Sequence, residues 1–278
     1  MISVIVPVRN GAGYLEEQLR ALTAQKSEEP WEVIVADNGS TDGSLAIARD
    51  WSLAHPQFHV VDASGLAGAS AARNAGVAVA SGDRLAFCDA DDVVLAGWIA
   101  GISRGLAGAD VVAGWFDFWS LNDIPPTPPL PATTRQLGFL PAGLGANLGV
   151  RRAAFEEVGG FDEAFVPGED IDLCWRLQLR GFQFAEVPDA VVSKRARSTF
   201  GHVFRQAFAY GQCGPLLHRR YRRSGARRDI RGACRSWAWI IVSLPRIFQP
   251  TRRIAWARAA GTRLGRLEAS LRLRIFFP

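Results

Sequence analysis

The stretch Arg84–Asp92, RLAFCDADD, decides how the rest of the chain is interpreted. Its apolar part, residues 85–88, is typical of a buried strand in a largely parallel sheet. The strand is followed at once by three acids, Asp89, Asp91 and Asp92. In open α/β sheets, ligands bind just outside the carboxyl ends of the strands, so this stretch predicts a charged site at the edge of a sheet.

The spacing of the acids favours a metal ion. Asp89 and Asp91 are two residues apart, so in an extended chain both carboxylates point to the same side. A hard divalent cation, Mg²⁺ or Mn²⁺, relieves their repulsion, because it prefers oxygen ligands and often shares them with substrate phosphates. The competing interpretation is a solvated turn with Asp92 as N-cap of a helix that starts near Leu95. The triplet alone leaves both interpretations open.

Charge is distributed unevenly along the chain. The 278 residues are 48% hydrophobic and 21% charged, which suits one substantial domain with an appendage. Residues 193–278 hold 20 Lys and Arg against 2 Asp and Glu, whereas residues 1–192 hold 12 against 25. The net charges of +18 and −13 indicate an acid-lined, cation-using site joined to a tail that binds anionic surfaces.

Cysteines and apolar runs indicate the compartment. The four cysteines have no paired metal spacing, so we expect buried thiols in a reducing compartment, although the sequence leaves a disulfide possible. The first apolar run, ISVIVPV, is too short for a signal-peptide core and indicates a strand. The longest one, Trp237–Leu244, falls below the roughly 18–20 residues of a spanning helix. We therefore expect a cytoplasmic protein without a transmembrane segment.

Strands and helices alternate in the first part of the chain. Strands are predicted at Ile2–Val8, Trp31–Ala36 and Phe58–Asp62, with helical patterns between and after them, which is the βαβ order of a parallel sheet. Asp37 therefore lies at the carboxyl end of a strand, where its carboxylate can accept hydrogen bonds from a nucleoside. The alternative is a turn residue, because the following residues, Asn38-Gly39-Ser40, have turn chemistry.

The helical segment GLAGASAARNAGVAVASGD carries Arg73 among small residues. It lacks the strict spacing of a dinucleotide-binding glycine motif. A lone guanidinium in this setting faces either solvent or an anionic ligand.

Taken in order, these segments resemble family 2 glycosyltransferases, which have the GT-A fold. The matching stretches cover about residues 2–182: VIVPVRN, EVIVADNGSTDGS, GASAARNAG, LAFCDADD, NLGVRRAAFEEVGGFDEAF and GEDIDLCWRLQLRG. An ordered set of motifs is far more specific than any one of them. The resemblance implies an α/β protein with a mixed, mostly parallel, Rossmann-like sheet flanked by helices.

The resemblance also implies roles for particular residues. Asp170 matches the usual catalytic base, and Asp89 and Asp91 match the motif that meets ribose and a diphosphate bound to Mn²⁺ or Mg²⁺. Contacts to the nucleotide sugar are expected from Pro7, Arg9, Asp37, Arg73, Asp89, Asn147 and Glu169. For Glu169 and Asp170 a purely helix-capping role is the alternative, since acids stabilise any helix amino terminus.

One position departs from the family pattern. Where the family often has a histidine that completes the metal shell, this chain has Ser193-Lys194. Either the metal relies on Asp91, diphosphate and water, or Lys194 or Arg195 takes over some of the charge neutralisation. His202 is the nearest alternative ligand.

The basic tail forms a predicted second domain, residues 193–278, after a catalytic domain of residues 1–192. Helices are predicted at 199–223 and 251–273, the second with an apolar stripe of Ile254, Ala257, Leu264, Leu267 and Leu271. Basic, aromatic and amphipathic segments together favour an anionic membrane surface, and the alternative is packing with arginines outward. No nucleic-acid motif is present, so no nucleic acid is expected as a partner.

These observations predict a metal-dependent inverting transferase. It would move a sugar from a UDP-, GDP- or dTDP-sugar to a hydroxyl of a lipid-linked or polysaccharide acceptor, at the inner face of the cell membrane. One alternative is a sugar-phosphate nucleotidyltransferase, which would need a basic, glycine-rich signature after the first strand; the stretch VPVRNGAG lacks the basic run. The other is a non-enzymatic membrane or nucleic-acid adaptor that uses the basic tail.

Overall fold

The computed structural model describes residues 1–277, with only the backbone at positions 246, 250 and 251. The chain divides into two compact units. Unit 1 comprises Met1–Thr134, Pro141–Ala164 and Glu169–Ala196, and unit 2 comprises Arg135–Leu140, Phe165–Gly168 and Arg197–Pro278. The last change from unit 1 to unit 2 thus follows Ala196, against a predicted domain boundary after residue 192, and unit 2 includes two short segments from the middle of the chain.

Strands and helices alternate through most of unit 1. The strands are β1 (Ile2–Val8), β2 (Trp31–Asp37), β3 (Phe58–Asp62), β4 (Arg84–Cys88), β5 (Val93–Val94), β6 (Val111–Asp117), β7 (Leu130–Pro131), β8 (Thr133–Thr134), β9 (Ala142–Gly143), β10 (Asn147–Arg151) and β11 (Phe184–Ser193). The helices of unit 1 are α1 (Leu15–Thr23), α2 (Ser44–Ala54), α3 (Ala69–Val79), α4 (Trp98–Gly108), α5 (Arg152–Glu157) and α6 (Glu169–Leu179).

The main sheet is mixed and mostly parallel, as predicted. Its strand order is β3-β2-β1-β4-β10-β6-β11-β5, and β7 pairs with β6. The strands from β3 to β4 pair in parallel, β10 runs antiparallel to β4 and β6, and β11 is parallel to β6. Because β1, β2 and β4 run the same way, their carboxyl ends share one edge of the sheet.

Strand β1 shows why both faces of the sheet are covered. Its β-branched residues alternate between the two faces, with Val4, Val6 and Val8 in the main hydrophobic core. Ile5 points to the other face, toward α3. A Cβ at Gly76 of α3 would lie only 2.7 Å from Cγ2 of Ile5, so the glycine permits the close approach of helix and strand.

Two sequence predictions in unit 1 change. The predicted helix near Leu95 begins later, at Trp98, because Val93–Val94 pairs with the end of β11 as a short strand. Asp92 therefore caps no helix. The proline-dense stretch 121–131 is a loop as predicted, apart from the two residues of β7.

Unit 2 contains the basic helices. They are α7 (Phe200–Tyr221), α8 (Ile230–Val242) and α9 (Pro250–Arg272), with short 3₁₀ helices at Arg222–Ser224 and Leu244–Phe248. Helices α7 and α9 pack through glycine: a Cβ at Gly211 would overlap the carbonyl group of Thr262, and one at Gly265 would overlap that of Phe208.

Small residues therefore form the packed face of α9. Ala257, Ala260 and Ala269 are buried, whereas three leucines of the stripe, Leu264, Leu267 and Leu271, are exposed. Leucine side chains would hold the helix backbones too far apart for the close contact that glycine allows.

The sequence also predicted that no helix spans a membrane and that the cysteines are buried thiols. Among the described residues there is no helix both long and apolar enough to cross a bilayer. All four cysteines are free, and Cys88, Cys174 and Cys213 are buried as predicted. Cys234 is exposed, which corrects the prediction for that residue, because it lies on the outer face of α8.

Candidate active site

Acidic residues gather where the strands of unit 1 end. In register, Val8 of β1 lies beside Asp37 of β2, and Asp89 follows the last residue of the neighbouring β4. We call this side of the sheet the carboxyl edge. The carboxylates of Asp89, Asp91 and Asp92 offer oxygens that lie within 4.8 Å of one another. Carboxylate oxygens at such separations form the ligand set that Mg²⁺ and Mn²⁺ prefer, so these residues fit a divalent cation.

Asp89 lies between two cationic side chains. Its Oδ1 is 3.0 Å from Nη2 of Arg73, and its Oδ2 is 3.1 Å from Nζ of Lys194. Burial alone would raise the pKa of the Asp89 carboxyl, but the charges of Lys194 and Arg73 outweigh it and hold that pKa below its ordinary value. Asp89 is therefore ionised at neutral pH.

Asp92 is enclosed more completely. Its side chain is fully buried, its Oδ2 accepts a 2.6 Å hydrogen bond from Nζ of Lys194, and its Oδ1 accepts one of 2.9 Å from the backbone N–H of Arg195. Burial raises the pKa of Asp92 to about 7, against the opposing charge of Lys194. Its role here is to hold the start of the segment after β11.

Arg73 connects two acids of the site. It lies on α3 and is buried, and its Nη1 donates to Oε1 of Glu169 at 3.0 Å while its Nη2 binds Asp89. The guanidinium also lies 5.4 Å from the ring centre of Phe161. Arg73 faces neither solvent nor a ligand in this structure, because the carboxylates of Asp89 and Glu169 bind its guanidinium.

The predicted base lies at the amino terminus of α6. Oδ2 of Asp170 accepts a 2.9 Å hydrogen bond from the backbone N–H of Gly145, and Oδ1 accepts one of 2.8 Å from that of Ile171. Burial and then the charge of Glu169 raise the pKa of Asp170 to about 6. A carboxylate with such a pKa is ionised at neutral pH and is well suited to accept a proton.

Asp37 has an unused acceptor. It is buried, its Oδ2 accepts a 3.1 Å hydrogen bond from the backbone N–H of Ser40, and its Oδ1 has no hydrogen-bond partner among the described residues. A cavity of about 770 Å³ opens beside it, lined in part by Gly39, Ser40 and Asp62. A buried acceptor without a partner is costly, so this atom points to a ligand donor such as a nucleoside N–H.

Two more of the predicted nucleotide contacts lie at the end of β1 and just after it. Pro7 is half-buried in β1, and Arg9 is exposed just beyond its end. The next residues are tied to the loop after β2: Oδ1 of Asn10 accepts a 2.8 Å hydrogen bond from the backbone N–H of Thr41, and Oγ of Ser44 accepts one of 2.8 Å from that of Gly11. The two loops therefore hold each other at the carboxyl edge.

Asn147 does not line the site in this structure. It is fully buried, its Oδ1 accepts a 2.8 Å hydrogen bond from Nε1 of Trp98, and its Nδ2 donates to the carbonyls of Trp115 and Ala190, each at 2.9 Å. The predicted bond to a sugar hydroxyl is corrected to a packing role, because these contacts engage both ends of the amide within the protein.

Two positioning residues were not found from the sequence. Gln18 of α1 donates from Nε2 to the carbonyl of Asp89 at 3.1 Å and accepts from the backbone N–H of Val94 at 3.0 Å, so it holds both ends of the acidic turn. Asn38 donates to the carbonyl of Leu66 at 2.9 Å and accepts from the N–H of Gly68 at 2.8 Å, which fixes the loop that leads into α3. The apolar spacing of α1 and the turn chemistry after β2 conceal these roles.

Two family profiles match the chain. The profile described as "Glycosyl transferase family 2" matches residues 3–158, and that described as "Glycosyl transferase family group 2" matches residues 132–264. The chain therefore belongs to glycosyl transferase family 2, which confirms the predicted family.

Curated relatives are similar over most of this chain. The pre-mycofactocin glycosyltransferase of Mycobacterium tuberculosis is 30% identical over 262 residues, which cover 87% of this chain and 53% of the relative. The chain thus spans about half the length of that relative. Glycosyltransferase AglE of Haloferax volcanii is 30% identical over 222 residues, 76% of this chain and 72% of the relative.

Solved structures share the fold. The mannosyltransferase PcManGT of Pyrobaculum calidifontis, solved with GDP-Man and Mn²⁺, has a TM-score of 0.65 at 20% identity, covering 96% of this chain and 86% of that one. TarS of S. aureus, solved with UDP-GlcNAc, has a TM-score of 0.55 at 17% identity, covering 100% and 93%. The predicted GT-A fold is confirmed.

Proposed function

We propose that the protein transfers a sugar from a nucleotide diphosphate to a hydroxyl of a lipid-linked or polysaccharide acceptor, with inversion at the anomeric carbon. The observation that carries the proposal is the arrangement of Asp89, Arg73, Glu169 and Asp170 at the carboxyl edge. The solved neighbours, which include complexes with GDP-Man and UDP-GlcNAc, support a nucleotide sugar as donor.

Asp37 binds the nucleoside in this proposal. Its unpaired Oδ1 accepts a hydrogen bond from the base or the ribose. Pro7 and Arg9 lie beside it, at the end of β1 and just after it. Arg73 keeps the Asp89 carboxylate in place by a 3.0 Å ion pair, and Glu169 holds the other end of that guanidinium. A UDP-, GDP- or dTDP-sugar fits this chemistry equally.

Asp89 and Asp91 would hold Mn²⁺ or Mg²⁺, since their oxygens belong to the compact carboxylate cluster. When bound, the ion offsets negative charge on the departing diphosphate. Gln18 and Arg73 position this turn by their contacts to Asp89.

Asp170 is the proposed base. The acceptor oxygen forms its bond to the anomeric carbon on the side opposite the diphosphate, the acceptor proton passes to the Asp170 carboxylate, and the bond to the diphosphate oxygen breaks. A single displacement of this kind inverts the anomeric centre. The hydrogen bond from the N–H of Gly145 orients the carboxylate for this role.

Exposed apolar side chains in unit 2 favour a membrane-bound acceptor. The α8 tip, which we define as the end of α8 with the following 3₁₀ helix, exposes Ile241 (70%), Val242 (82%), Leu244 (52%) and Phe248 (87%). Apolar side chains of this size gain free energy when they leave water, so we propose that the tip inserts into the interfacial layer of a membrane.

Arginines accompany the α8 tip along the chain. Arg231 and Arg235 are exposed on the first turns of α8, and Arg252 and Arg253 are exposed at the start of α9. Each basic residue near an anionic surface adds about 1 kcal/mol of attraction. We propose reversible attachment to the cytoplasmic face of the cell membrane, where a lipid-linked acceptor is accessible.

The proposed function is tested by a thermal-shift screen of UDP-, GDP- and dTDP-sugars, with Mn²⁺ and with EDTA. A donor at 100 times its Kd should stabilise the protein by about 2.7 kcal/mol. The matched variant Asp37→Asn should lose most of this shift. If no nucleotide sugar raises the melting temperature of the wild type under either condition, the proposed donor site is wrong.

A further inference from the structure

Lys194 brings a positive charge into the acidic cluster. It is the first residue after β11, and its backbone N–H donates to the carbonyl of Asp117 at 2.8 Å, which fixes its start beside β6. The ammonium reaches both Asp89 and Asp92, while the side chain keeps 25% of its surface exposed. The Lys194 ammonium thus lies among the carboxylates, and its side chain remains partly accessible to solvent.

Its neighbours hold this segment from several sides. The Asn122 Nδ2 donates to the carbonyl of Lys194 at 2.8 Å. Arg195 pairs with Glu17 at 2.6 Å and stacks 4.8 Å from the ring centre of Tyr14. Lys194 is therefore positioned before any ligand binds, which lowers the entropy cost of using it.

A lysine at this position differs chemically from a histidine. A neutral imidazole offers a lone pair to a metal ion, whereas an ammonium offers only donors. Asp89 and Asp92 further favour the charged form of Lys194, because its Nζ lies 3.1 Å and 2.6 Å from their carboxylate oxygens. The position therefore supplies charge in place of a metal ligand.

The ammonium has a donor to spare. The structure records two acceptors for Nζ among the described residues, the oxygens of Asp89 and Asp92, and an ammonium carries three N–H groups. Phosphate oxygens are strong acceptors that lysine commonly binds as a point charge.

We propose that Lys194 is a built-in counter-ion for the diphosphate of the donor, so that the chain binds a nucleoside diphosphate even without a divalent cation. The inference rests on the proposed donor site. Lys194 then acts as a binding residue that shares the charge neutralisation with any ion at Asp89 and Asp91, and it lowers the dependence of donor binding on that ion.

Calorimetric titration of UDP, GDP and dTDP tests the inference, first with Mn²⁺ to find the nucleotide that binds, then in EDTA. The wild type should bind that nucleotide in EDTA. Lys194→Met should weaken binding in EDTA by about tenfold or more, because one close positive charge is lost. Lys194→His should bind well with Mn²⁺ and poorly in EDTA, since imidazole is a ligand and not a fixed charge.

Arg104→Met is the matched control. Arg104 carries the same charge but is exposed and paired with Asp189 on the surface of unit 1, so its loss should leave the affinity in EDTA unchanged. Lys194→Met leaves the buried Asp92 carboxylate without its ion-pair partner, which could destabilise the protein. The double variant Lys194→Met/Asp92→Asn removes that buried charge and repeats the test.

Two results would overturn the inference while the proposed function stands: a wild type that binds nucleotide with Mn²⁺ and not in EDTA, or a folded Lys194→Met protein that keeps its affinity in EDTA. Absence of nucleotide binding even with Mn²⁺ would instead overturn the proposed donor site, and the inference with it.

Discussion

Gly145 lies against the Arg73 guanidinium so closely that no larger residue fits without displacement. A Cβ at position 145 would lie 3.0 Å from Cζ of Arg73, and the N–H of the same glycine donates to Asp170. The residue thus contacts both Arg73 and Asp170, the proposed base. The contact with Arg73, and not a backbone conformation, therefore requires a small residue at position 145.

The first prediction follows from that contact. Gly145→Ala should lower the rate of sugar transfer by about tenfold or more, because Arg73 is held by two acids and cannot move aside freely. Gly108→Ala is the control, since a Cβ at position 108 meets nothing within 4 Å. Steady-state kinetics of both variants provide the comparison, and equal rates would remove Gly145 from the site.

The second prediction concerns the metal ion. Asp91→Asn keeps the shape of the side chain and removes its charge, so the gain in nucleoside diphosphate affinity on adding Mn²⁺ should fall by at least about tenfold. Asp50→Asn, on the exposed face of α2, should leave that gain unchanged. Titrations with and without Mn²⁺ measure it; an unchanged gain in folded Asp91→Asn would show that Asp91 binds no ion.

The third prediction concerns the base and pH. Asp170→Asn should bind the donor but transfer sugar roughly 10²–10⁴-fold more slowly, since an amide cannot take up the acceptor proton. Because the pKa of Asp170 is about 6, the carboxylate form disappears below that pH, and wild-type transfer should fall as the pH is lowered through 6.

The residual activity of Asp170→Asn should lack this fall. Rates measured between pH 5 and 8 for both proteins distinguish the base from a helix cap. A folded Asp170→Asn enzyme with near-normal turnover, or with the same dependence on pH as the wild type, would contradict the assignment.

The fourth prediction concerns Asn147. Asn147→Leu leaves the Trp98 indole N–H and two backbone carbonyls without their buried partner, so the free energy of unfolding should fall by about 3 kcal/mol or more. The folded variant should keep its affinity for the nucleotide-sugar donor. Urea unfolding and titration with that donor are the two measurements, and a loss of affinity without a loss of stability would restore the sugar-binding role.

The fifth prediction concerns the α8 tip. Phe248→Ser should weaken binding to anionic vesicles by about tenfold or more, because insertion of an aromatic side chain contributes on the order of 1.5–3 kcal/mol. Leu53→Ser is the matched control: Leu53 is 86% exposed, similar to the 87% of Phe248, but lies on α2 of unit 1.

Co-sedimentation of the wild type and both variants with vesicles of varied anionic content, at low and high salt, measures this effect. High salt should release the wild type, since screening weakens the contribution of the arginines. Equal sedimentation of Phe248→Ser and the wild type would exclude insertion of the tip.

Local patterns predicted the sheet and the positions of the acids. The β-branched run Ile2–Val8 and the acids after Cys88 each lie where periodicity and strand ends place them. Contacts over long sequence separation were not predictable in this way. Lys194 meets Asp89 across 105 residues, a proximity that the family resemblance indicated and no local pattern did. The amide of Asn147 is satisfied by three different elements, which leave no local signal either.

The tail shows the same limit in its packing. The apolar stripe on α9 left a membrane surface and packing as alternatives, and the close approach of α7 through Gly211 and Gly265 places small residues inside while three leucines of the stripe stay exposed. Hydrophobic periodicity identifies the most apolar positions of a helix. The distance between two packed helices depends instead on the smallest side chains at their contact.

The composition of unit 2 has a consequence for biosynthesis. Its segments Arg135–Leu140 and Phe165–Gly168 pair with residues made much later: the N–H of Arg227 donates to the carbonyl of Leu137 at 2.8 Å, and Gly168 packs on Cys213. Because the ribosome synthesises the chain from its amino terminus, these segments cannot form their contacts within unit 2 until the later residues have been made. A nascent chain stopped at Ala196 would hold every acid of the carboxyl edge and still lack Cys213, on which Gly168, the residue before Glu169, packs.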